Sequence, residues 1–157
     1  TGRNKLADMA EIIVQKGYKR VMVFCNQKYT TAMLANQMAR LNFVVDCLHG
    51  DLSQAERNKI MGEFNAGNIA VLVATDVAAR GIDVSEVDAV FNYDVPDSNE
   101  YYTHRIGRTG RAKHTGEAYV LYTKEEHKRV RDMLRYTRNT ATPIAFDESR
   151  SIIPGTF

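Results

Sequence analysis

The sequence predicts an α/β sandwich, a mostly parallel sheet with helices on both faces. Three observations carry that prediction. Five short runs rich in β-branched and apolar residues recur along the 157 residues. Segments of helical period lie between them, and the runs are near-continuously hydrophobic rather than strictly alternating, as in strands covered on both faces. Strand and helix alternating at this rhythm predicts parallel strands joined by right-handed crossovers.

The strand runs are "RVMVFC" (20–25), "FVVDCLH" (43–49), "IAVLVAT" (69–75), "AVFNYD" (89–94) and "GEAYVLYT" (116–123). Ahead of the first, "KLADMAEIIVQKG" carries Leu6, Met9, Ile12 and Ile13 at helical spacing and stops at Gly17. "TTAMLANQMARLN" repeats the pattern with Met33, Leu34, Met38 and Leu41. In "SQAERNKIMGEFNAG", Ser53 followed three residues later by Glu56 reads as a capping box, and Gly67 as the stop. The last helix, "TKEEHKRVRDMLRYTRN", has Glu125 and Glu126 near its start and basic residues later, which suits the helix dipole. "TPIAFDESRSIIPGTF" breaks the rhythm with Pro143 and Pro154, so it reads as a loose extension, an edge strand or a tail. The expected division is a domain over 1–138 and an extension over 139–157.

With 44% hydrophobic and 25% charged residues, global disorder is excluded, while a net charge of +2 names no partner. Cys25 and Cys47 sit inside apolar runs and read as buried thiols. They form no metal-ligand spacing and no disulfide framework, which favours a reducing compartment. No apolar run approaches the roughly 20 residues of a membrane span, and no signal-peptide pattern opens the chain. The expected address is cytoplasmic, or nuclear in a eukaryotic cell, and the expected state a monomer away from membranes. The chain opens on "TGRNKLADMAEII", amphipathic after four residues, which predicts a partner domain on its N-terminal side.

Ligands of open parallel sheets bind beyond the carboxyl ends of the strands. There the polar residues gather, in "CNQK" (25–28), "HGD" (49–51), "TDVAARGID" (75–83) and "NYDVP" (92–96). Each set alone is an ordinary turn; their coincidence is the signal. In the third, Thr75 and Asp76 are expected to cap a short helical turn, Arg80 follows, and Gly81 permits a reversal presenting Asp83. Main-chain N–H groups at such a helix start suit a phosphate; the bland alternative is a capped connection with a solvated Arg80. "HRIGRTGRA" (104–112) is expected to be a loop, because Gly107 and Gly110 stop a regular helix, with Arg108 and Arg111 held near a polyanion. Phosphoryl transition-state stabilisation and nucleic-acid backbone binding both use such guanidiniums. No G-x-x-x-x-G-K-[ST] occurs, so the chain carries no phosphate cradle of that kind. Arginines without one suggest fingers offered to a nucleotide held by another domain.

"VMVFCNQKYT", "LHGDLSQAER", "VLVATDVAARGIDV", "VFNYDVP" and "HRIGRTGRA", in that order and spacing, resemble the C-terminal RecA-like lobe of DEAD-box ATP-dependent RNA helicases of superfamily 2. The resemblance covers about 1–138. It implies a RecA-like three-layer sandwich, RNA as substrate, and ATP with Mg²⁺ held mainly by an N-terminal RecA-like lobe of the same protein. It implies that Arg108 and Arg111 reach the ATP γ-phosphate, that Asp83 contacts the ribose with Arg80 in the same network, and that His104 and Arg105 couple the nucleotide site to RNA and the other lobe. His104 counts with Arg108 and Arg111 in the catalytic set. Implied RNA-backbone contacts are Asn26, Gln27, Gly50, Gln54, Arg57, Thr75, Asp76 and Gly81. Many family members carry threonine where Gln27 stands, and DNA-directed relatives usually carry glutamine where His104 stands. The fragment alone is expected to be inactive as an ATPase and the intact protein to hydrolyse ATP as it unwinds short RNA duplexes. The alternatives are a catalytically inactive RNA-binding scaffold and a DNA-directed helicase.

Overall fold

Five parallel strands in the order β2-β3-β1-β4-β5 form the central sheet of the computed structural model, which describes residues 4–79, 87–106, 117–137 and 141–155. In chain order the elements are α1 (Lys5–Lys16), β1 (Val21–Cys25), α2 (Lys28–Arg40), β2 (Val45–Leu48), α3 (Gln54–Asn65), β3 (Val71–Thr75) and α4 (Asp76–Ala79). There follow β4 (Ala89–Asn92), α5 (Asn99–Ile106), β5 (Glu117–Val120), a 3₁₀ turn (Lys124–Glu126) leading into α6 (His127–Tyr136), and β6 (Ile144–Phe146) with β7 (Ile152–Pro154). The fold is a RecA-like α/β three-layer sandwich, and all five predicted strands are present.

Burial explains why the three central strands read as unbroken hydrophobic runs. β1 and β4 are buried at every position and β3 at all but Thr75, because helices cover both faces. Alternate β1 residues feed opposite layers. Val21, Val23 and Cys25 join Met9, Ile12, Leu34 and Met38 of α1 and α2, whereas Met22 and Phe24 join Met61 and Phe64 of α3 and Ala78 and Ala79 of α4. A smaller cluster of Val95, Tyr102, Val130, Met133 and Leu134 ties α5 to α6. Edge strands β2 and β5 are only partly covered. Cys47 on β2 is accordingly half-buried, while Cys25 on β1 is fully buried; both are free thiols.

Helix ends follow their sequence signals. Asn4 accepts from the Ala7 N–H at the start of α1, and Gly17 ends it at φ 67°, a left-handed position that a side chain would strain. The Ser53–Glu56 capping box at α3 is complete in both directions. Two regions differ from expectation. α5 extends helix into a stretch read from the sequence as loop, and the tail forms an antiparallel β6–β7 hairpin. That hairpin is no loose extension: Phe146 and Ile152 pack on the α1 side of the core, Gln15 accepts from the Ile152 N–H at 3.2 Å, and Arg150 pairs with Asp8 at 3.1 Å. Pro154 is tolerated because it stands at the end of a strand in a two-stranded sheet.

Candidate functional site

The polar residues predicted at the carboxyl ends of the strands divide by where their side chains go. Ser98 caps α5, its hydroxyl accepting from the Tyr101 N–H at 3.0 Å, and Glu100 lies in the first turn. His104 and Arg105 therefore stand in the last turn of a helix, not in a loop. Arg105 is turned inward and only 1% exposed. Its Nε and Nη2 each donate to an oxygen of Asp76 at 2.6 Å. Nη2 also donates to Asn26 Oδ1 at 2.8 Å, and Nη1 to the Asp94 carbonyl at 2.9 Å and Asn92 Oδ1 at 3.3 Å. The guanidinium carbon lies 5.4 Å from the Phe24 ring centre. Desolvating this charge costs several kcal/mol, roughly offset by the bidentate Asp76 contact and by bonds at the remaining donors.

Asn26, after β1, is held as firmly. Its main-chain N–H donates to Asp94 Oδ2 at 2.9 Å, and its Nδ2 to the Val95 carbonyl at 2.9 Å and Asp97 Oδ1 at 3.3 Å. After β3, Thr75 Oγ1 accepts from the Ala78 N–H at 3.3 Å and so caps α4. The expected capping role of Asp76 is replaced by its bond to Arg105, because a buried guanidinium needs a carboxylate more than a short turn already capped by Thr75 does. Arg57 of α3 donates from Nη2 to the Ala78 carbonyl at 2.8 Å, which ties α3 to that turn.

Other predicted residues face outward. Gln27 occupies the N-cap of α2 with no side-chain capping bond and is exposed. Gly50 is exposed, and a Cβ added there would meet nothing within 4 Å. Gln54 is exposed and bonds along its own helix, to Asn58 at 2.9 Å. His104 is exposed on α5. Beside them Lys28 and Asp51 form an ion pair, and that hydrogen bond holds the Asp51 carboxyl below its usual range. Burial pushes the Cys25 thiol far up, so it is no nucleophile. Arg80, Gly81, Asp83, Arg108 and Arg111 lie outside the described residues.

Sequence reasoning placed "NYDVP" at this rim but did not see which residues hold it from beneath. Asn92, fully buried at the end of β4, donates to the Tyr119 carbonyl of β5 at 2.8 Å while accepting from Arg105. An amide at the end of the buried run "AVFNYD" was the available signal, since a buried polar side chain requires partners. Asp94 lay in the "NYDVP" set without its partners being legible, while Asp97 and Arg129 left no such trace, being ordinary loop and helix-surface residue types.

The helicase conserved C-terminal domain family model matches residues 4–113. ATP-dependent RNA helicase FAL1 of Scheffersomyces stipitis is 48% identical over 117 residues, covering 74% of this chain and 29% of that protein. The chain thus spans about a third or less of the length of such curated relatives. Among solved structures, the Escherichia coli DEAD-box protein SrmB bound to regulator of ribonuclease activity A aligns with a TM-score of 0.85 at 37% identity, covering 93% of this chain and 86% of that one. Saccharomyces cerevisiae Dbp5 bound to RNA and ADP BeF3 aligns at 0.77 and 30% identity, covering 87% and 37%. With a parallel sheet in RecA-like order and a polar rim at its carboxyl edge, the chain belongs to the helicase conserved C-terminal domain family, as the C-terminal domain of a DEAD-box RNA helicase.

Proposed function

We propose that this domain is half of an ATP-driven RNA-unwinding site, completed when an N-terminal RecA-like lobe holding Mg²⁺-ATP closes on it across RNA. Arg108 and Arg111 are the arginine fingers for the γ-phosphate, Asp83 meets the ribose, and Arg80 belongs to the same network. His104 and Arg105 couple that site to RNA and the other lobe. Asn26, Gln27, Gly50, Gln54, Arg57, Thr75, Asp76 and Gly81 form the surface for the RNA sugar-phosphate backbone, which carries little sequence information. The observation that supports this reading most is the anchoring of Arg105. Three residues ahead of Arg108, it is bonded to Asp76, Asn26 and Asn92, so α5 delivers the chain to position 106 at the same rim that presents Gln27 and Gly50. Closure on RNA then completes the ATP site.

The test is made in the intact protein, with both lobes. Arg108→Ala should lower RNA-stimulated ATP hydrolysis by about 10³-fold, the scale of a lost arginine finger. RNA-stimulated turnover unaffected by that change would overturn the assignment.

A further inference from the structure

Four consecutive main-chain carbonyls beyond β4 each accept a hydrogen bond from a side chain, and the donors come from four parts of the chain. Tyr93 O accepts from Lys5 Nζ of α1 at 2.9 Å. Asp94 O accepts from Arg105 of α5, also at 2.9 Å. Val95 O accepts from Asn26, between β1 and α2, at 2.9 Å and from Arg129 Nη2 of α6 at 3.3 Å. Pro96 O accepts from the same Arg129 nitrogen. The side chains of this segment are committed as well, Asp94 to the Asn26 N–H and Asp97 to the Asn26 amide. The Asn26 N–H and amide nitrogen thus rest on residues 94–97, while its Oδ1 accepts from Arg105.

Arg129 is the one donor that grips this turn from α6, an element beyond the 4–113 family match. Its base is rigid, because Val130, Met133 and Leu134 pack α6 against Val95 and Tyr102. The Arg129–Asp97 ion pair, at 3.7 Å with both side chains about half or more exposed, contributes little. The two carbonyl bonds matter more, since they fix the backbone from which Val95 O and Asp97 hold the Asn26 amide.

We infer that Arg129 is a positioning residue for RNA binding, fixing from α6 the 95–97 turn that orients Asn26. This rests on the reading of the Asn26 loop as an RNA contact. The test compares Arg129→Met, which keeps the aliphatic stem and removes the donors, with Arg129→Lys, whose single ammonium can serve both carbonyls. In the intact protein, Arg129→Met should raise the RNA KM of the ATPase about five-fold, the worth of about one hydrogen bond, and leave kcat within about two-fold. Arg129→Lys should recover most of that loss, and Arg129→Met should add nothing further once Asn26→Ala is present. An RNA KM unmoved by Arg129→Met, while Asn26→Ala raises it, overturns the inference and leaves the RNA reading standing. An RNA KM unmoved by Asn26→Ala overturns the RNA reading and the inference with it. Parallel losses in kcat and melting temperature without rescue by lysine would mark Arg129 as structural only and also overturn the inference.

Discussion

Arg105 and Gln27 belong to one rim of one sheet, yet their surroundings are opposite. Arg105 is 1% exposed and spends its donors on Asp76, Asn26, Asn92 and the Asp94 carbonyl, while Gln27 is exposed and makes no capping bond to the helix it starts. The first residue builds the edge; the second is displayed by it. Residue type alone does not separate such roles, because an arginine near a phosphate site and an arginine under a loop look alike in a sequence. Desolvation separates them: a buried guanidinium is tolerated only where carboxylate and carbonyl oxygens meet it, and here three chain segments, at 26, 76 and 92–94, supply them. Changes at Arg105 should therefore register first as lost stability, and changes at the displayed residues as lost binding.

The largest effect is expected at the centre of the inward set. Arg105→Met leaves the Asp76 carboxylate, 11% exposed, without its bidentate partner, and should destabilise the domain by about 3–5 kcal/mol. Urea unfolding of this chain measures it. Arg105→Lys should recover only part, since one ammonium cannot match both Asp76 oxygens and also reach Asn26 and Asn92. A loss below about 1 kcal/mol would place Arg105 with the surface pairs instead.

That contrast also marks how much was legible in the sequence. The parallel sheet was legible because the runs around Val23, Val73 and Phe91 are hydrophobic on both faces, and α1 and α3 were bounded by Gly17 and by the Ser53–Glu56 box. α5 was not read, because Gly107 and Gly110 drew attention to where a helix stops while the Ser98 cap that starts it passed unnoticed. The hairpin at 144–154 was hidden for a different reason: its strands are three residues each, and they are held by Gln15 and Asp8 of α1, 135 or more positions away. Among the site residues, the family resemblance singled out Asn26, Asp76 and Arg105. It could not reveal that they bond to one another, nor that Asn92 and Arg129 support them from below, because those contacts exist only once β1, β3 and β4 lie side by side.

An intermediate effect is expected where the rim depends on a local cap. Ser53→Ala removes the acceptor for the Glu56 N–H at the start of α3, the helix that presents Gln54 and anchors Arg57, and should destabilise by about 1 kcal/mol. The reciprocal bond from the Ser53 N–H holds the Glu56 carboxyl below its ordinary value of 4.5. A depressed folded-state pKa stabilises above the unfolded value, and that contribution is lost as pH falls through the folded one. Glu56→Gln should therefore flatten the decline in stability below pH about 4.5 relative to the unaltered domain. Parallel acid profiles for the two proteins would show that the box does not carry this charge effect.

The smallest effect on stability should come from the displayed residues, and there the two readouts part company. Gly50 has open space where a Cβ would go and no left-handed backbone angle, and Gln27 lends its side chain to no cap. Gly50→Ala and Gln27→Ala should each change unfolding free energy by no more than about 0.5 kcal/mol. On the proposed path of the RNA backbone past Gly50, a methyl group there would clash, so Gly50→Ala should weaken RNA binding several-fold in the intact protein at fixed salt, measured by fluorescence anisotropy. Gln27→Ala should lose less, because an exposed amide gives up one hydrogen bond and leaves no clash behind. A stability loss above about 1 kcal/mol in either variant would move that residue into the inward set. Unchanged RNA affinity in Gly50→Ala would show that the strand passes this edge at a distance, since no described residue lies within 4 Å of the added carbon.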